Sequence, residues 1–224
     1  MTRPKKLICS VIATGLLVNL ISLKAHADTA PNLTVYAGPQ SVSPREVIHV
    51  TVELTEETSS RMNDEAVELS YMSDGTSKTV SGTLKFGLVS FEVPGQDKTG
   101  LMTFTAKAAD VTSKEALVTV VAGSPMPFKI TVQPNKKPET VKLSSGPIMD
   151  RHDNPISDLS LVSLEWIDVN GLKARQSVQP LNGRISLRAK CPANFTAPLR
   201  VRAVIDAVES ISKDVSADCV ARQG

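Results

Sequence analysis

Val47-Ile48-His49-Val50-Thr51-Val52-Glu53-Leu54 alternates without a break. Ile48, Val50, Val52 and Leu54 fall on one side of an extended chain, His49, Thr51 and Glu53 on the other. A period of two marks a strand with one dry face and one wet face. Similar runs recur on both sides of it. In the amino-terminal half they cover 33–36, 66–72, 78–86, 88–93, 101–108 and 115–121. In the carboxy-terminal half they cover 128–132, 140–148, 159–167, 173–178, 184–190, 199–205 and 210–219. Turn residues separate them, including the hairpin pairs Asp74-Gly75, Asn170-Gly171 and Asn182-Gly183 and the strand stop Pro94-Gly95. Helical periodicity is scarce, so the chain reads as all-β.

Gly123-Ser124-Pro125-Met126-Pro127 interrupts the pattern near its middle. Two prolines and a glycine in five residues cannot lie inside a central strand, so the boundary is placed there, between 28–123 and 124–224. Seven short runs in each half predict two tandem immunoglobulin-like β-sandwiches. In the run 159–167, Val162, Leu164 and Trp166 share a face, which turns the only tryptophan inward on the third strand of its half.

Composition narrows the compartment and the chemistry. Residues 1–27 hold Arg3, Lys5, Lys6 and Lys24, no acidic residue, an uncharged apolar run over 7–23 and a small-residue end at Ala25-His26-Ala27. That order reads as a secretory signal peptide. An uncleaved anchor is the other reading, since 17 residues lie at the lower limit for crossing a bilayer. No second candidate span follows Asp28. The full chain carries a formal charge of +2, and removing those four cations leaves −2. A slightly acidic chain lacks the footprint of a nucleic-acid binder. Cleavage also removes Cys9 and leaves Cys191 and Cys219, which an oxidising compartment would join into a structural bridge. Two buried free thiols are the alternative.

No Gly-x-Ser-x-Gly elbow, phosphate loop or His-x-x-x-His pair occurs, and the two remaining histidines, His49 and His152, fall on a polar strand face and in a turn. The chain therefore does not read as an enzyme, and no cofactor is expected. Asp150, Asp153 and Asp158 crowd one turn and are weak candidates for calcium; Glu53, Glu56, Glu57, Asp64, Glu65 and Glu68 crowd one loop and read as solvated. Charge is split between the halves. Residues 28–124 hold 7 Lys and Arg against 13 Asp and Glu, and residues 125–224 hold 14 against 10. Alternation places Arg184, Arg188 and Lys190 on the outer side of one strand and Arg200 and Arg202 on the outer side of the next. These five form the candidate basic face, whose partner would be an acidic protein or an anionic polymer.

The carboxy-terminal half resembles the bacterial immunoglobulin-like domains of invasin- and intimin-type surface proteins. The resemblance rests on Asp150-Arg151-His152-Asp153-Asn154-Pro155, where the family has Asp-x-x-Gly-Asn-Pro. It rests also on the strand that follows, on Asn182-Gly183-Arg184-Ile185-Ser186-Leu187 and on Leu199-Arg200-Val201-Arg202-Ala203. Asp153 departs from the family glycine, but aspartate tolerates a left-handed backbone. The amino-terminal half is similar more loosely, through 87–94 and 100–106. The resemblance implies an exported, non-enzymatic binding or spacer protein of the bacterial cell envelope, periplasmic or on the outer surface. It would be adhesin-like or an accessory subunit of a surface or secretion assembly. A periplasmic pilus-assembly chaperone is the alternative. Such a chaperone needs a long alternating strand at the end of its first module, and the run 115–121 is short.

Overall fold

A computed structural model describes residues 31–55, 64–137 and 139–220. The signal-peptide reading of residues 1–27, Glu56 and Glu57 lie outside the described residues. Alternation becomes strands almost wherever it occurs. The first half contains β1 (Asn32–Gly38), β2 (Ser41–Val42), β3 (Val47–Thr55), β4 (Ala66–Ser73), β5 (Thr76–Thr83), β6 (Leu88–Pro94), β7 (Gly100–Ala108), β8 (Val111–Thr112) and β9 (Ala116–Val120). The second contains β10 (Ile130–Pro134), β11 (Thr140–Ser145), β12 (Val162–Asp168), β13 (Gly171–Val178), β14 (Ser186–Lys190), β15 (Arg200–Ile205), β16 (Val208–Ile211) and one short helix, α1 (Ser216–Val220).

Each half closes two sheets over its own core. In the first, β1-β3-β6 faces β2-β9-β7-β4-β5, with β8 paired to β7. Ile48, Val50 and Val52 from one sheet and Leu69, Met102 and Phe104 from the other are fully buried between them. In the second, β10-β11-β14 faces β13-β12-β15-β16. Val141 and Leu143 meet Leu164, Trp166, Val201 and Ala203, and Trp166 is 2% exposed, on the inner face predicted for it. No described strand pair joins the two halves.

Turn chemistry accounts for the strand ends. Asp74 and Gly75 both take positive φ, as do Asn182 and Gly183, so these two hairpins use the left-handed turns that Asp-Gly and Asn-Gly favour. Gly183 is further constrained by space, because a Cβ there would lie 2.9 Å from the Ile148 carbonyl oxygen. The run expected over 140–148 stops at Ser145, where Gly146-Pro147 removes a donor.

The last run departs from expectation. Residues 210–219 read as one strand, yet β16 ends at Ile211 and Cys219 belongs to α1. Asp214 causes the break. Its carboxylate accepts the Ser216 amide at 2.9 Å and the Leu199 amide at 3.1 Å, capping the helix start while tying it to β15. Cys219 thereby comes within a Cα separation of 5.8 Å of Cys191, and the two are joined by a disulfide.

Candidate functional site: the inter-module joint and the outer faces

The turn 150–155 is built around the Asp150 carboxylate. Asp150 is 2% exposed. Its Oδ1 accepts the amides of His152 at 2.8 Å and Asn154 at 2.9 Å. Its Oδ2 accepts the Gly123 amide at 2.9 Å and the Asn154 side-chain amide at 3.1 Å. Burial pushes the carboxyl pKa up, but the bonds from Asn154, Gly123 and His152 outweigh it and hold the group below the ordinary carboxylate value. Asp153 takes a φ of 57°, the left-handed backbone that glycine adopts freely and aspartate tolerates.

The same turn docks onto the first module. There, the loop between β6 and β7 is held by Asp74, whose carboxylate accepts the amides of Asp97 and Lys98, each at 3.2 Å. Asn154 then spans the gap. Its side-chain nitrogen donates to the Asp97 carbonyl at 2.8 Å, and its side-chain oxygen accepts the Thr99 amide at 3.1 Å. Lys98 donates to the His152 carbonyl at 2.7 Å. Arg45 grips the Asp97 carboxylate with two bonds, at 2.7 and 3.1 Å, and its guanidinium is the first cause holding that carboxyl below its usual value. The connecting segment is pinned too, since the Met126 amide donates to the Met149 carbonyl at 2.7 Å. Beside this contact lies an open cleft of about 380 Å³, lined by Pro44, Met126, Arg151 and His152 among others.

The three aspartates expected as weak calcium candidates do not converge into a ligand group. The Asp150 carboxylate is occupied by its own turn and the linker, Asp153 is exposed, and Asp158 accepts the Asn182 amide at 2.7 Å. Among the described residues, no group of three or more His, Cys, Asp or Glu is arranged to hold a metal ion.

The five residues of the candidate basic face divide between two sheets. β14 pairs with β11, whereas β15 pairs with β12 and β16 in the opposite sheet. Arg188 and Lys190 therefore share one outer face, with Arg184 just before it, and Arg200 and Arg202 lie on the other. Alternation places all five residues outward but does not say which sheet a run joins, and the connection from β14 to β15 crosses the sandwich. On the second face Arg202 is paired internally, whereas Arg200 is exposed and forms no ion pair among the described residues. Glu165, 4% exposed, lies in register between Arg175 and Arg202 and bonds both, with Arg202 Nε at 2.8 Å. Those bonds, Arg202's first, hold the Glu165 carboxyl below its usual value against its burial. Glu209 lies 3.7 Å from the same Arg202.

Reading the sequence singled out Asp150 but missed Asn154 as a bridge and the segment 97–99 as its seat. A repeated signal was present. Asp168 closes β12 as Asp74 follows β4, and it accepts the Asn170 amide at 2.7 Å and the Thr196 amide at 2.8 Å in the loop between β14 and β15. Each half thus uses one aspartate to hold its equivalent loop. Only the loop of the first half receives the turn of the second.

The chain folds as tandem immunoglobulin-like β-sandwiches. No protein-family model matches it, and no curated protein does. Among solved structures it is similar to the Escherichia coli adhesin FdeC, with 17% identity and a TM-score of 0.60 over 84% of this chain; the match spans 66% of that chain. That likeness establishes the fold. InvE, an adhesin of Yersinia pseudotuberculosis, aligns with 13% identity over 80% of this chain and 57% of that one, at a TM-score of 0.35. Trypsin-activated alpha-2-macroglobulin of Escherichia coli aligns with 13% identity over 81% of this chain and 15% of that one, at 0.36.

Proposed function

We propose that the chain works as an exported, non-enzymatic binding and spacer protein of the bacterial cell envelope, adhesin-like in mode of action. Residues 1–27 are removed on export. Modules 28–123 and 124–224 then act as one stiff unit in the periplasm or on the outer surface. The observation that carries this reading is the joint. Asn154, Asp150 and Lys98 tie the turn of one module to a loop and linker already held by Asp74 and Asp150 itself. A chain whose use is to present a surface at a fixed distance and angle needs such a joint. The adhesin fold and the Cys191–Cys219 bridge support the same reading. Mechanically, the sandwich faces and end loops make the contacts, and the joint keeps them aimed.

The test is cell fractionation of the tagged chain, followed by photocrosslinking from exposed positions on the second module. The expected result is a processed, oxidised chain in the envelope fraction that captures a surface or envelope component. A full-length, reduced chain confined to the cytoplasm overturns the proposal.

A further inference from the structure

We infer that the outer face of the β10-β11-β14 sheet is a binding surface for an anionic polysaccharide, laid along β14 over Arg184, Arg188, Lys190 and Lys142. This deepens the envelope-binding reading and rests on it.

Register assembles the face. Lys142 stands directly opposite Arg188, Thr140 opposite Lys190 and Ser144 opposite Ser186; Gln133 and Thr131 continue two of these rows onto β10. Lys142, Arg184, Arg188 and Lys190 are all exposed, and none forms an ion pair among the described residues. No carboxylate stands on the outward positions of the three strands; Glu139 lies just beyond the end of β11.

Two like charges directly opposite each other across a strand pair are unfavourable. Guarding of a sheet edge against other chains would account for Arg188 and Lys190, because β14 is an edge strand. It does not account for Lys142, which sits on the central strand β11. The opposite sheet of the same module handles charge differently, with Glu165 and Glu209 set among Arg175 and Arg202. Arg175 and Arg202 are neutralised from within their face; the four cations around β14 have no such carboxylate and are left for an external anion to neutralise.

The chemistry of the face selects the class of anion. It carries hydroxyls and an amide between its cations and no aromatic or large apolar side chain pointing outward. Protein partners are anchored mainly by buried aromatic and arginine side chains in pockets, and single-stranded nucleic acids stack on aromatic rings. A hydroxyl-rich polyanion needs only cations and hydrogen bonds on a flat surface. From Arg184 to Lys190 the rail extends about 20 Å along the strand, long enough for several charged sugars to engage together.

The experiment measures binding of the purified chain to heparin, which is sulfated, and to alginate, which is carboxylated, at low ionic strength. The wild type is expected to bind at least one of them, and the pattern assigns the anion: heparin alone points to sulfate, alginate alone to carboxylate, both to charge density. Lys142→Glu with Arg188→Glu should weaken binding about tenfold or more. Arg200→Glu with Lys213→Glu, which removes the same charge elsewhere in the module, should change it less than about twofold. Trp166 fluorescence checks folding, and Lys142→Gln with Arg188→Gln makes the same comparison if the reversals do not fold. No binding by the wild type, equal losses in the two double variants, or tighter binding to duplex DNA or polyglutamate overturns the inference. The two failures are distinguishable. A chain that captures an envelope partner through another surface, with no affinity for either polysaccharide, ends this inference alone, whereas a cytoplasmic chain ends the envelope reading and, with it, the inference that rests on it.

Discussion

The side-chain oxygen of Asn154 accepts the backbone amide of Thr99 at 3.1 Å, across 55 residues of sequence. With the reciprocal bond from its nitrogen to the Asp97 carbonyl at 2.8 Å, a single side chain satisfies backbone groups on the neighbouring module. Asn154 is 2% exposed, so truncation strands those groups with little access to water. Asn154→Ala should weaken the joint by about 1–3 kcal/mol while leaving both cores intact. Small-angle scattering and inter-module distance measurements should then report a broader range of module arrangements. Asn154→Asp should loosen it further at neutral pH, because a carboxylate would face both Asp150 and the Asp97 carbonyl. Unchanged scattering in both variants would show that the modules are held by other means.

The Asp150 carboxyl gives this joint a pH dependence with a definite sign. Its folded value lies below the ordinary carboxylate value, so the native state favours the ionised form more than the unfolded chain does. The corresponding stability is fully present above about pH 4 and is lost as pH falls through the folded value. Asp168 acts in the same direction: burial raises its pKa, and the amides of Thr196 and Asn170 and the ammonium of Lys173 lower it by more. Asp150→Asn should lower the melting temperature near pH 7, and its deficit against wild type should shrink toward pH 3. A deficit independent of pH would mean that shape, rather than charge, is what Asp150 supplies.

Most of the fold was legible because alternation is local. Ile48, Val50 and Val52 announce a buried face from their spacing alone, and Trp166 points inward where its strand pattern places it. What escaped depends on where strands go after they end. Arg188 and Arg200 are 12 residues apart in sequence and both point outward, yet they occupy opposite sheets because the intervening loop crosses the sandwich. The apolar pattern over 210–219 predicts a strand through Cys219 and does not reveal that Asp214 caps a helix. Asn154 was visible only as part of a turn motif. Nothing local to it says that its amide faces 97–99 rather than water.

Glu165 tests how the paired arginines of the second module are held together. Its carboxylate is nearly enclosed by Arg175 and Arg202, and removing it leaves two arginines facing each other across β12 with no anion between them. Only the carboxylate is buried, while the Arg175 and Arg202 side chains stay 61% and 37% exposed, so its loss removes charge-assisted bonds and leaves like charges opposed rather than stranding a buried cation. Glu165→Gln should therefore lower the melting temperature of the second module, followed through Trp166 fluorescence. Adding Arg175→Gln and Arg202→Gln to it should recover part of the loss. A Glu165→Gln variant that melts with wild type would mean that the arginines simply turn to solvent.

The Cys191–Cys219 bridge closes a loop that contains β15, β16 and most of α1. Constraint of the unfolded chain by a loop of about 29 residues contributes roughly 3–4 kcal/mol in the chain-entropy model. It also fixes α1 over the end of β11, because Cys191 itself donates its amide to the Glu139 carbonyl at 2.8 Å. Cys191→Ala with Cys219→Ala should lower the denaturant midpoint of the second module, read by Trp166 fluorescence, while the first module, which contains no cysteine after residue 28, unfolds as before. Adding reductant to wild type should reproduce the shift in the second module only. If reduction moves both transitions together, the two modules unfold as one cooperative unit and the joint at Asn154 couples their stabilities as well as their orientation.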